Sequence, residues 1–71
     1  MAVRYNKLWK LLVDKKLSKA DLRRKAGISS NTMTKLNRDE MVALPILDRI
    51  CETLDADYQD IIEHIKEQNA S

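Results

Sequence analysis

The chain has 71 residues but only one glycine, Gly27, and one proline, Pro45. That scarcity limits the fold more than any other feature. Hairpins and meanders need Gly, Asn-Gly or Pro-containing turns between short strands, and those residues are missing here. The expected fold class is therefore all-α. The single glycine also raises a question. Gly27 lies inside the stretch SKADLRRKAGISSNTMTKLNR (residues 18–38), between two segments that each read as a short helix.

The apolar spacing places five helices. Tyr5, Leu8, Trp9, Leu12 and Val13, with Leu11 beside them, recur at i, i+3, i+4, i+7 and i+8 and predict a helix over 5–16. Leu17 follows as a buried linker. Ser18 is a good N-cap, with Asp21 in the capping-box position, for a helix over 19–26 whose inward residues are Leu22 and Ala26. Gly27 takes the position just past that helix, where φ is positive and glycine is least strained. Ile28 plugs the turn. Ser29 caps a helix over 30–37 with Met33 and Leu36 inward, and 38–43 reads as a loop. Pro45 opens a helix over 45–54, where its missing N–H does no harm, and Leu47, Ile50, Cys51 and Leu54 share one face. Asp57 caps a fifth helix over 58–66, with Ile61, Ile62 and Ile65 inward. The expectation is one domain, 1–71, built as a compact five-helix bundle with a frayed tail at 67–71.

A net charge of +2 hides a division along the chain. Residues 1–38 hold eleven Lys and Arg against two Asp, a net of +9; residues 39–71 hold two against nine acids, a net of −7. The basic half suits a polyanion and the acidic half should turn away from one. The runs Lys15-Lys16 and Arg23-Arg24-Lys25 fit steering toward such a partner. No apolar run approaches a membrane span, the N-terminal MAVRYNK lacks a signal segment, and a lone Cys51 fits a reducing compartment, so a cytoplasmic protein with no membrane partner is expected.

Two short helices joined by a tight glycine turn describe a helix-turn-helix. In such a unit the second helix enters the major groove and its first residues face base edges. Short hydroxyl and amide side chains suit that position. Asn31 can make two hydrogen bonds to adenine, Lys35 can reach guanine acceptors, and Ser30 and Thr34 can donate, accept or pack a methyl against thymine. Ser29 is assigned to capping.

Other chemistries find little support. Cys51 sits on an apolar helix face and reads as core, and His64, between Glu63 and Glu67, reads as a solvated side chain. Neither has the converging ligands a metal or nucleophile site needs. Trp9 reads as at least partly core. No carboxylate pair faces an obvious cleft and no glycine-rich phosphate loop exists, so the chain is expected to be no enzyme and to need no cofactor.

The residues resemble the Cro and phage-repressor (XRE) family of helix-turn-helix regulators, in particular its very small single-domain bacterial members. LSKADLRRKAGISSNTMTKL is similar to the family's central motif, and VALPILDRICETLDADYQDII to its fourth and fifth helices. The resemblance implies a lambda-repressor-like fold and a sequence-specific transcriptional regulator of double-stranded DNA. It carries base-reading positions onto Ser30, Asn31, Thr34 and Lys35, and phosphate-contacting positions onto Ser18, Lys19 and Arg38. Helix N-termini attract phosphate through their free N–H groups, which suits Ser18 and Lys19.

Two departures stand out. Many members have a small residue at the position of Arg23, so either Arg23 reaches outward or the two helices sit slightly apart. Many have Asn-Gly after the third helix, where this chain has Arg38-Asp39-Glu40; the acids imply a loop that meets DNA less closely, or meets a partner instead.

One reading helix covers only a few base pairs, so a homodimer, at least on DNA, is expected. Val3, Tyr5, Ile62 and Ile65 are the spare apolar residues for its contact. No small-molecule effector is evident. The alternative is a protein-binding module on the same scaffold, of antitoxin or antirepressor type, acting through its acidic half.

Overall fold

The computed structural model describes residues 2–66. Its elements are β1 (Ala2–Arg4), α1 (Asn6–Asp14), α2 (Lys19–Ala26), α3 (Ser30–Asn37), α4 (Leu44–Leu54), a single 3-10 turn (Tyr58–Asp60) and β2 (Glu63–Ile65). The tail expected to fray, 67–71, lies outside the described residues.

Local capping explains the middle of the chain. Ser18 Oγ accepts from the Asp21 N–H at 3.0 Å, and the Asp21 carboxylate accepts from the Ser18 N–H at 3.0 Å, so two of the free donors at the start of α2 are satisfied reciprocally. Ser29 Oγ accepts from the Thr32 N–H and starts α3. Both helices occupy the predicted spans. Gly27 has φ +67°. The Ile28 N–H reaches back to the Arg23 carbonyl at 3.1 Å, and the Ile28 side chain is buried under the turn.

All four helices end by this same reversal. Lys16, Asp39 and Asp55 also have positive φ, at 58°, 57° and 53°. After each, the next N–H returns to a carbonyl five residues back: Leu17 to Leu12, Glu40 to Lys35, Ala56 to Cys51. The described residues therefore make four left-handed helix ends with one glycine. Asp39 has a second task. Its carboxylate accepts from the Tyr5 N–H at 3.1 Å, and the Tyr5 hydroxyl donates to the Glu40 carbonyl at 2.7 Å. The two acids of the 38–43 loop are thus fastened to the start of α1.

The expected fifth helix does not form, so the described residues hold four α-helices and a two-stranded sheet. Asp57 does cap, in a reciprocal box with Asp60, but the turn it opens stops at Asp60. Residues 63–65 pair antiparallel with 2–4, in the register Ala2↔Ile65, Val3↔His64 and Arg4↔Glu63. A nine-residue helix holding three β-branched isoleucines is marginal on its own. The strand offers more, because it satisfies backbone groups of both end segments. An Arg4–Glu63 bond of 2.9 Å lies across the pair. His64 is exposed, but on β2 rather than on a helix.

One core cluster joins these elements. Tyr5, Leu8, Leu22, Leu36, Ile50, Leu54 and Ile61 are its most deeply buried side chains, and α2 packs on α4. Each large aliphatic side chain buried this way contributes roughly 1.5–3 kcal/mol. Cys51 belongs to the same cluster, and Trp9 and Leu17 are half-buried against it. Two expectations need correction. Val13 is 74% exposed, because it lies about 100° around α1 from Leu12 and so off the Leu8–Leu12 face that meets the core. Val3 and Tyr5 are core rather than spare surface, since β1 carries Val3 inward and the Asp39 loop closes over Tyr5. No helix among the described residues is long and apolar enough to cross a membrane.

Candidate nucleic-acid interface

With Met33 and Leu36 turned into the core, the outer side of α3 is left to positions 30, 31, 34 and 35. These are i, i+1, i+4 and i+5, one edge of a helix. Ser30, Asn31, Thr34 and Lys35 are all exposed. They are not equivalent. Thr34 Oγ1 donates to the Ser30 carbonyl at 3.0 Å, which occupies its proton and leaves a methyl and a lone pair outward. Among the described residues, the side chains of Ser30, Asn31 and Lys35 have no intramolecular partner in the hydrogen-bond network. Their donors and acceptors face solvent.

The proposed backbone-contacting positions differ as well. Ser18 is committed as an acceptor in the capping box, though its hydroxyl proton is free to donate. The Lys19 ammonium donates to Asn37 Oδ1 at 2.8 Å and stands 4.2 Å from the centroid of the Trp9 ring. Arg38 follows α3, mostly exposed, with Nη1 3.9 Å from Glu40 Oε2, too long and too solvated to hold it firmly. The structure thus brings Lys19 beside α3 through Asn37 and leaves Arg38 at that helix's far end.

Between α2 and α3 runs an open groove of about 260 Å³, lined by Lys19, Ala20, Arg23, Ser30, Met33 and Asn37. Arg23 is exposed on its rim, as expected for a long side chain where close packing would need a small one. Around the unit, Arg24 is neutralised by Asp21, and the Asp21 carboxyl is held below its usual range, first by the Ser18 N–H.

Sequence reasoning missed three supporting residues. Trp9 and Asn37 hold Lys19 from two other helices, and Arg49 on α4 donates to the Gly27 carbonyl at 3.3 Å. Each contact joins residues ten or more positions apart, so no local pattern announces it. For Arg49 a faint signal existed: it is one of two basic residues in an otherwise acidic half.

The chain is similar to the transcriptional regulator VanUg, solved as a crystal structure, with 48% identity and a TM-score of 0.90; the match covers 93% of this chain and 88% of that one. Among curated proteins none matches it. Residues 7–67 match the Cro/C1-type helix-turn-helix DNA-binding domain, a range that takes in α1 from its second residue and the whole of α2, α3 and α4. The chain belongs to the Cro/C1-type helix-turn-helix DNA-binding family.

Proposed function

We propose that this protein is a sequence-specific transcriptional regulator that lays α3 in the major groove of double-stranded DNA. One observation carries the reading. Ser30, Asn31 and Lys35 present uncommitted polar groups along a single exposed helix edge, in the half of the chain whose charge is +9. Asn31 and Lys35 are assigned to base edges, Ser30 and the Thr34 methyl to close approach, and Ser18, Lys19 and Arg38 to phosphates. The chain acts as one domain and as a homodimer on paired half-sites spaced by about one DNA turn, near 34 Å. No catalysis, cofactor or effector is assigned to it, and its setting is the cytoplasm.

The acidic half offers less to a protein partner than its charge suggests. Asp39 accepts from Tyr5, Asp57 and Asp60 cap one another's turn, and Asp48 accepts from the Tyr58 hydroxyl at 3.3 Å. Several of the acids thus have intramolecular work, which supports the DNA reading over a module acting through that face.

The test is selection from a pool of random duplex DNA by the purified protein, with sequencing and a salt titration. The expected result is an enriched two-fold motif that Asn31→Ala and Lys35→Ala each weaken by about 1–3 kcal/mol at one position of the half-site. Steep salt dependence without enrichment would reduce the function to non-specific binding. Failure to bind at low salt, or activity that survives neutralising Lys19, Lys35 and Arg38, would overturn it.

A further inference from the structure

Lys19 is held in an unusual way for a surface lysine. Trp9 lies on α1, Lys19 opens α2 and Asn37 closes α3, so the ammonium of one helix is held by side chains of two others. Both partners are electrically neutral. The indole face attracts the cation through its quadrupole, and the amide oxygen takes one of its three N–H donors. Neither cancels its charge. Among the described residues no carboxylate lies within ion-pair distance of Lys19, as for most of the chain's cations, whereas Arg4 and Arg24 are paired with Glu63 and Asp21. What sets Lys19 apart is that it is held by two neutral partners at once.

A lysine stem is long and flexible, and freezing it on contact with a ligand opposes binding. Here much of that ordering is complete before any ligand arrives, and two N–H donors remain. The ammonium stands at the groove between α2 and α3, whose other charged lining residue is Arg23. We infer that Trp9 and Asn37 are positioning residues, which hold the Lys19 ammonium with its charge intact for a backbone phosphate of the bound duplex. This rests on the DNA-binding reading above and adds to it two residues that touch no DNA.

The experiment is a double-mutant cycle, read as affinity for a labelled duplex carrying the selected motif across a salt series. Lys19→Gln should weaken binding and lower the slope of log K against log salt by about 0.9, one phosphate's share. Asn37→Ala and Trp9→Leu should each weaken binding about three-fold or more while Lys19 is present. In the Lys19→Gln background both should have no further effect. Trp9→Phe, which keeps a weaker ring face, should recover part of the Trp9→Leu loss. Asn37 is exposed, so its truncation tests the idea even if Trp9→Leu loosens the core.

Equal losses from Asn37→Ala with and without Lys19 would mean a structural role and overturn the proposal. An unchanged affinity and slope in Lys19→Gln, with the unmutated protein still binding, would overturn it while leaving the DNA reading intact. No duplex binding by the unmutated protein would overturn both. In that case a change in emission from Trp9, the only tryptophan, on Lys19→Gln would still show the contact as part of the fold alone.

Discussion

Residues 18–26 and 57–65 open with the same device and diverge within one turn. Each begins with a reciprocal capping box, Ser18 with Asp21 and Asp57 with Asp60. After the first box comes KADLRRKA, rich in good helix formers, and α2 runs two turns to a glycine stop. After the second comes YQDIIEHI, with three β-branched isoleucines, and the chain leaves the helix for a strand. A cap satisfies the first free N–H groups, but it does not decide whether the helix continues. What decides is the balance of propensity, burial and the partners available elsewhere in the chain. For 57–65 that partner is β1, about sixty residues away in sequence.

The largest test of this contrast is at Ile61, where the second segment enters the core with no exposed surface. Ile61→Ala should destabilise the fold by about 2–5 kcal/mol in a urea melt. Dispersion of the amide signals of residues 2–4 should be lost at lower urea than that of α2. A loss under about 1 kcal/mol would mean that β1 and β2 are held by their own pairing rather than by the isoleucine beneath them.

The second test concerns the helix ends, where four identical reversals use different residues. A Cβ built on Gly27 meets nothing within 4 Å, so Gly27→Ala is a purely backbone perturbation. It should destabilise by about 1–2 kcal/mol, the strain of placing an L side chain at positive φ. Lys16→Gly should act in the opposite direction, gaining up to about 1 kcal/mol as that strain is relieved, less the extra entropy of an unfolded glycine. Asp39→Gly should gain less than Lys16→Gly, or lose, because it also removes the acceptor for the Tyr5 N–H. Equal gains at 16 and 39 would show that the Asp39–Tyr5 bond adds nothing.

These contrasts mark what could be read from the chain and what could not. The span and caps of α2 and α3, the Gly27 turn, and the inward Leu22, Ala26, Met33 and Leu36 all rest on signals within a twenty-residue window. The exposed edge of α3 follows from the same window, since knowing which residues are buried fixes which are not. Val13 misled because helical period predicts a face but not how wide a stripe of it meets the core. The closing strand was hidden because Ile61, Ile62 and Ile65 fit a helical spacing, and Ala2–Arg4 carries no strand signal of its own. The same holds for Asp39: an acid at a loop position where family members carry glycine looks like a departure, and becomes intelligible only when Tyr5 is seen to need an acceptor.

The smallest effect expected is electrostatic, and it separates the two capped regions by cause. The Asp21 carboxyl lies below its usual range chiefly because the Ser18 N–H bonds its charged form, with the Ser18 hydroxyl and Arg24 adding to it. The Glu63 carboxyl is lowered chiefly by its hydrogen bond from Arg4, against a smaller opposing effect of burial. Both groups titrate lower folded than unfolded. Their stabilisation is therefore present above the ordinary carboxylate range and lost as pH falls through their folded values. Both are only partly buried and their partners reach solvent, so each should appear as a shifted titration curve rather than a large change in melting. Carboxyl NMR titration of Arg4→Met should return Glu63 to its ordinary range and leave Asp21 where it was, since the Asp21 shift arises within α2 itself. If Asp21 moved together with Glu63, the two capped regions would be coupled through the core, and the independence of the helix-turn-helix from the terminal sheet would have to be given up.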